Sequence, residues 1–151
     1  NRPPRPGEED GVNYYFLSDE SFKDAIDNDA FVEYVEVYPG RFYGTLKSEV
    51  EKLTAAGHNV LLDVDVLGGL QVKELYGDRA ISIFIEPPSV DELRRRLEGR
   101  ATDAIEQINQ RVDRAKFELS FAPKYDCRVV NDRLEDAVAQ TAHLIDSFTE
   151  K

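Results

Sequence analysis

Arginine side chains are concentrated in this sequence where they could bind phosphate. Eight of the 12 arginines fall in two groups, one at the start of the chain and one between residues 94 and 114. A guanidinium holds a planar oxyanion by two parallel hydrogen bonds, which lysine cannot do. On helices Arg96 and Arg100, four residues apart, would share one face, as would Arg111 and Arg114, three apart, so each pair could converge on a single polyanion. The groups are Arg2 and Arg5, then Arg94, Arg95, Arg96, Arg100, Arg111 and Arg114.

The second arginine group has a simpler interpretation as a solvated helix face. Asp91, Glu92 and Glu98 lie within helical pairing distance of the run 94–96. Exposed pairs of this kind contribute little and are common. For an isolated arginine run this would be the preferred interpretation. The helical spacing of Arg96 with Arg100, and of Arg111 with Arg114, shifts the balance towards binding of a small phosphorylated ligand.

Two carboxylates follow the apolar run at residues 60–62. Asp63 and Asp65 are two residues apart, so in a strand they would point the same way. A buried strand that delivers a carboxylate to a crevice is how phosphotransferases hold magnesium or its water shell. Alternatively, Asp65 caps the helix that follows at Gly68 and Gly69.

The elements that must position these residues alternate between strand and helix from residue 59 onward. This alternation predicts an α/β fold with a parallel sheet, whereas the first 58 residues predict a small, mostly antiparallel unit. We expect strands at 14–17, 31–37, 41–43, 60–65, 80–85 and 127–130. We expect helices from a Ser18 cap to about 28, at 47–56, from 68–69, from a Ser89 capping box, at 104–121 and at 134–148.

Composition excludes several classes of protein. The chain has 151 residues, a net charge of −11 and one cysteine. A single cysteine cannot form an internal disulfide, which excludes a disulfide scaffold and favours a cytoplasmic location. The acidic charge argues against nucleic-acid polymers and membrane surfaces as partners.

A series of short motifs resembles the guanylate kinase family in order and spacing across essentially the whole chain. Such a series is far more specific than any one motif. The resemblance implies a P-loop nucleoside monophosphate kinase core with a parallel sheet, a GMP-binding subdomain and a helical lid. It is carried by Arg2-Pro3-Pro4-Arg5-Pro6-Gly7-Glu8, Tyr14-Tyr15-Phe16, Phe31-Val32-Glu33-Tyr34, Phe42-Tyr43-Gly44-Thr45, Leu62-Asp63-Val64-Asp65, Pro87-Pro88-Ser89, Arg96-Leu97-Glu98-Gly99-Arg100 and Val129-Val130-Asn131-Asp132.

The resemblance also implies roles for individual residues, with ATP and Mg²⁺ as co-substrate and cofactor. Arg2, Arg5, Tyr14 and Tyr43 would hold the GMP phosphate, Glu33 and Thr45 would read the base, and Asp65 would be a further GMP contact. Arg96 and Arg100 would be lid arginines, Arg111 would close on the transferring phosphoryl group, Asp63 would lie near Mg²⁺ and Asn131 would contact adenine.

The implied domain organisation divides the chain into four segments. Residues 1–58 would form the GMP-binding subdomain, with the end of a core segment at 1–5; 59–92 and 117–151 would be core, and 93–116 the lid. The implied partners are GMP and ATP, with no nucleic acid and no membrane, and the protein would be a monomer or homodimer in the cytoplasm.

The sequence contains no G-x-x-x-x-G-K-[ST] segment and no methionine. That loop supplies the amides and the lysine that cradle ATP phosphates. We therefore expect it in a segment before Asn1, and we expect this chain to bind GMP better than it catalyses transfer. The missing loop leaves open a non-catalytic guanylate-kinase-like module that binds protein. A kinase for another nucleoside monophosphate is a third possibility, which the role of Glu33 would distinguish.

Overall fold

The computed structural model describes residues 1–100 and 104–151. The chain divides into two compact units, Asn1–Leu75 and Tyr76–Lys151. The predicted lid at 93–116 includes residues 101–103, which lie outside the described part. The first unit contains α1 (Asp19–Asp27), β1 (Phe31–Tyr38), β2 (Arg41–Leu46), α2 (Lys47–Ala55) and α3 (Val66–Tyr76). The last residue of α3, Tyr76, is the first residue of the second unit. The second unit contains β3 (Ile83–Glu86), α4 (Val90–Gly99), α5 (Ile105–Leu119), β4 (Cys127–Val130) and α6 (Leu134–Thr149).

The first unit is built around the antiparallel hairpin of β1 and β2, as the alternating sequence predicts. The turn uses Gly40 at φ +77°, a backbone conformation that favours glycine. Packing beneath the hairpin is aromatic, because the Phe22 ring of α1 stacks on Phe31 with centroids 4.6 Å apart and lies 5.6 Å from Phe42. This packing fixes the hairpin that carries the predicted base-reading residues.

The second unit contains the predicted parallel strands. β3 pairs with β4 from Ile83 opposite Cys127 onward, and α4 and α5 lie between them in the chain. Leu97 of α4 packs with Ile108 and Val112 of α5 in a buried cluster. The helix pair is thereby fixed by apolar contacts, and its arginines lie outside the cluster.

Local capping signals predicted two helix starts correctly. The Ser18 hydroxyl accepts a hydrogen bond from Ser21 N–H at 3.1 Å, and the Ser89 hydroxyl accepts one from Glu92 N–H at 3.0 Å. Each bond satisfies a backbone donor in the first helical turn. Among the described residues, no helix is both long and apolar enough to span a bilayer.

Three sequence predictions about strands are wrong in detail. Residues 14–17 form no strand beyond a single bridge of Asp10 with Tyr14, and residues 60–65 form no strand. β3 begins at Ile83 rather than at 80. A strand requires a neighbouring strand that pairs with its backbone donors and acceptors. A run of apolar residues does not indicate whether such a neighbour is present. Helix α3 also begins earlier than predicted, at Val66 rather than at 68.

The end of α1 provides a stability prediction. Asp29 has φ +53°, and its exposed carboxylate forms an ion pair with Lys47 at 2.9 Å. We expect Asp29→Gly to raise the free energy of unfolding by about 0.5 kcal/mol, because the relief of left-handed strain outweighs a weak surface pair and the added chain entropy. Urea unfolding measures the change. Asp24→Gly inside the helix is the control and should destabilise; a loss of stability in both variants would contradict the argument.

Candidate substrate-binding site

Arg2 is the centre of a hydrogen-bonded cluster in the first unit. Its Nε donates to Tyr43 Oη at 3.0 Å, Nη1 donates to Glu8 Oε1 at 2.8 Å and to the Pro3 carbonyl at 3.1 Å, and Nη2 donates to Glu8 Oε2 at 2.9 Å. A guanidinium has five N–H donors. Among the described residues these bonds use four of them, which leaves one Nη2 donor for a ligand.

Glu8 holds the Arg2 guanidinium in a fixed plane by a bidentate ion pair. The hydrogen bonds from Arg2, with a further one from the Arg5 backbone N–H at 2.9 Å, lower the pKa of Glu8 to about 2. The same bond to Glu8 raises the pKa of Arg2. Both side chains are therefore charged near neutral pH.

Aromatic rings surround this cluster. The Arg2 guanidinium carbon lies 5.4 Å from the centroid of the Tyr14 ring, and that ring lies 6.1 Å from Tyr43. A pocket of about 300 Å³ opens here, a volume at the lower end for small-molecule sites. Its lining includes Arg2, Tyr14, Tyr43 and Thr45. The structure thus brings together three of the residues predicted to bind phosphate.

Glu33 is a buried carboxylate on β1, with 5% of its surface exposed. Its Oε1 accepts a hydrogen bond from Thr45 Oγ1 at 2.8 Å across the hairpin, where the two residues are paired in register. Burial raises the pKa of Glu33, the Thr45 hydroxyl opposes that rise, and the negative charge of Asp65 adds to it. Glu33 does not itself line the pocket, but its partner Thr45 does.

Asp65 is placed at the start of α3, close to Glu33. Its Oδ1 accepts a hydrogen bond from Gly68 N–H at 2.7 Å, which is the capping arrangement that the spacing left open. The site above Gly68 is narrow: a Cβ there would lie 2.8 Å from Glu33 Oε2 and 2.9 Å from Asp65 Oδ1. The predicted base-reading carboxylate, Glu33, and the carboxylate predicted as a further GMP contact, Asp65, are therefore neighbours.

Arg5 and Asp63 lie at the surface of the first unit. Both are exposed, and Arg5 contributes its backbone N–H to Glu8. The described residues contain no group of three or more side chains suited to hold a metal ion. Mg²⁺ is usually bound through one or two carboxylates and the substrate's phosphates, so one exposed aspartate fits a Mg²⁺–nucleotide but would not hold the free ion.

In the second unit, Arg96 contacts the segment predicted to bind adenine. Its Nη1 donates to the Asn131 carbonyl at 2.8 Å, its Nη2 to the Asp132 carbonyl at 3.2 Å, and its Nε to Glu92 at 3.1 Å. Arg100 is exposed at the end of α4, and Arg111 lines a groove between α4 and α5. Arg96 therefore contacts the backbone of Asn131, whereas Arg100 directly follows α4 and Arg111 lies on α5.

Comparison with known proteins identifies the family of this arrangement. A sequence model of the family described as guanylate kinase matches residues 1–148. The chain belongs to the guanylate kinase family. The chain is 55% identical to a guanylate kinase of Bacteroides fragilis over 148 residues, which cover 98% of this chain and 72% of that protein. It is also 51% identical to a guanylate kinase of Bacteroides thetaiotaomicron, over 100% of this chain and 74% of that protein.

A solved structure agrees with the family assignment. The fold matches the crystal structure of guanylate kinase from Anaplasma phagocytophilum with a TM-score of 0.75 and 32% identity, covering 99% of this chain and 72% of that chain. The predicted guanylate kinase fold is therefore confirmed. The roles of individual side chains remain predictions.

Sequence reasoning missed two residues of this site. The sequence motif at residues 2–8 assigns no role to Glu8, although its separation from Arg2 allows an ion pair across the Pro-Gly turn. Gly68 was considered only as a helix start. An Asp directly before a helix is the signal of an N-cap that accepts from the third helical N–H, here that of Gly68, but the approach of Glu33 to Gly68 depends on tertiary packing.

Proposed function

We propose that this protein transfers the terminal phosphoryl group of ATP to GMP, giving GDP and ADP, and that the first unit binds GMP. One observation carries the proposal: the buried Glu33–Thr45 pair lies in the same unit as the Arg2, Tyr14 and Tyr43 cluster. The Glu33–Thr45 pair suits the hydrogen-bonding edge of a purine. The cluster of Arg2, Tyr14 and Tyr43 suits a phosphate. Membership of a nucleoside monophosphate kinase family supports the enzymatic assignment.

At the phosphate end, Arg2 is held ready for a dianion. Glu8 and Tyr43 fix the plane of its guanidinium, so little side-chain freedom is lost when phosphate binds. Tyr14 and Tyr43 offer phenol hydroxyl groups, and the exposed Arg5 can add a second guanidinium. This set would orient the phosphate oxygen that attacks ATP.

At the base end, donors and acceptors match guanine. Guanine presents N1–H and an N2 amino group on one edge, and both can be accepted by a carboxylate. Adenine has no amino group at that position and its N1 is an acceptor, so Glu33 would keep its Thr45 bond but receive no donor from the base. A buried carboxylate oxygen without a donor is costly, so Glu33 would reject adenine as well as bind guanine.

For the transfer step, the proposal assigns charge neutralisation to arginines of the second unit. Phosphoryl transfer depends on positioning and on stabilising developing negative charge. Arg96, Arg100 and Arg111 are the candidates, with Asn131 at the adenine and Asp63 at Mg²⁺. When bound to the nucleotide, Mg²⁺ would neutralise phosphate charge. We further propose a cytoplasmic monomer or homodimer without nucleic-acid or membrane partners.

The direct test is calorimetric titration of the 151-residue chain with GMP and, separately, with AMP. We expect GMP to bind at least tenfold more tightly than AMP, because the wrong base leaves buried polar groups unpaired. GDP formation from GMP and ATP–Mg²⁺, followed by ³¹P NMR, tests transfer by the protein carrying a phosphate loop. Equal affinity for the two nucleotides would contradict the proposed guanine site.

A further inference from the structure

Gly68 lies where α3 approaches two carboxylates more closely than any side chain would allow. A Cβ built on it would lie 2.8 Å from Glu33 Oε2 and 2.9 Å from Asp65 Oδ1. Its φ is not positive, so the backbone does not require glycine. Alanine is a better helix former than glycine. The close approach is therefore the structural reason for a glycine at this position.

Neither carboxylate is free to move away from position 68. Asp65 Oδ1 accepts the Gly68 N–H at 2.7 Å, and this bond caps α3. Glu33 is 95% buried and is held through Oε1 by Thr45 at 2.8 Å. An added methyl group would have to break one of these hydrogen bonds or displace the start of the helix, because well-packed interiors relax little.

The consequence concerns the base that this site accepts. Two adjacent carboxylates provide more acceptors than one, and the start of a helix favours negative charge. The guanine edge offers three N–H donors, one on N1 and two on N2. Resting on the proposed GMP function, we propose that Gly68 is a specificity-determining residue whose missing side chain lets Glu33 and Asp65 converge on the amino-bearing edge of guanine.

The test compares GMP with IMP, whose base lacks the N2 amino group. In Gly68→Ala we expect the affinity for GMP to fall about tenfold and that for IMP to fall less, because N2 loses an acceptor that IMP does not use. Affinity for ribose 5-phosphate, which reports only the phosphate end, should not change. Gly99→Ala is the matched control, since a Cβ there meets nothing within 4 Å.

A second variant keeps the proposal testable if Gly68→Ala folds poorly. Glu33→Asp shortens the carboxylate by one methylene and makes room for the added methyl group. We expect Gly68→Ala to cost clearly less GMP affinity in the Glu33→Asp background than alone. Thermal unfolding midpoints of all variants would be measured in parallel.

The outcomes separate this inference from the proposed function. A wild-type chain that binds no GMP would overturn both. A wild-type chain that binds GMP, with an unchanged ratio of GMP to IMP affinity in Gly68→Ala, would overturn only the role of Gly68. Equal losses of affinity for GMP, IMP and ribose 5-phosphate in Gly68→Ala would show a general structural role and would contradict the proposal. Additive losses of GMP affinity in the double variant would show that steric crowding is not the cause, which would also contradict it.

Discussion

Replacing Arg2 with lysine is expected to weaken GMP binding by roughly 10- to 100-fold, the loss of a charge-assisted phosphate contact. Lysine keeps the positive charge but cannot satisfy Glu8 at two oxygens and Tyr43 at the same time, as the Arg2 guanidinium does. Its ammonium group would pair with Glu8 and turn away from the ligand. The result would show that geometry, rather than charge alone, binds the phosphate.

Guanosine provides the internal control for Arg2→Lys, because it carries the base without the phosphate. We expect its affinity to remain unchanged in the variant. Arg41→Lys, an exposed arginine at the start of β2, should leave GMP binding at the wild-type level. Calorimetry measures all three. If Arg2→Lys binds GMP as well as the wild-type chain does, the phosphate contact lies elsewhere in the pocket.

Local features of this fold could be predicted from sequence because their partners are near in the chain. Ser18 and Ser89 each bond a backbone N–H three residues later, so the sequence contains both partners. The hairpin follows from the alternation at residues 31–37 and the turn signal Pro39-Gly40 directly after it. Residues 60–65 show the opposite case, since an apolar run does not reveal whether a neighbouring strand is present.

The chemistry of the site depends on contacts that sequence spacing does not encode. The Arg2 guanidinium reaches Tyr43, 41 residues away, and Glu33 meets the start of α3 only after the hairpin and α3 have packed. The types of these residues were predicted through the family resemblance. Only the three-dimensional structure shows how many Arg2 donors Glu8 already occupies and how crowded the space around Gly68 is.

Glu33→Gln is the second variant with a large expected effect, a loss of GMP affinity of about 100-fold. Glutamine has an NH₂ group in place of one carboxylate oxygen, so a hydrogen-bond donor would face the N–H donors of guanine. The Thr45 hydroxyl can still donate to the remaining oxygen, which should preserve the hairpin. Glu36→Gln, on the exposed part of the same strand, is the control. Undiminished GMP binding in Glu33→Gln would contradict base recognition by Glu33.

The same variant should separate two sources of pH dependence. Burial raises the pKa of Glu33, and guanine needs the ionised form, so wild-type GMP affinity should rise as pH rises through that elevated pKa. The GMP phosphate, with a second pKa of about 6, also gains charge in that region. Glu33→Gln retains only the phosphate contribution. Glu8, with a pKa of about 2, contributes nothing near neutrality. Identical pH profiles would therefore contradict titration of Glu33 in the site.

Stability should respond to pH in the opposite direction. Because the pKa of Glu33 is raised above its ordinary 4.5 in the folded state, the folded chain holds this proton more tightly than the unfolded chain does. Wild-type stability should therefore fall, relative to Glu33→Gln, as pH rises from below 4.5 through the elevated pKa, and the difference should then level off. Urea unfolding across that range measures it. A variant that loses GMP binding while gaining stability would identify Glu33 as a charge kept buried for recognition at a cost to the fold.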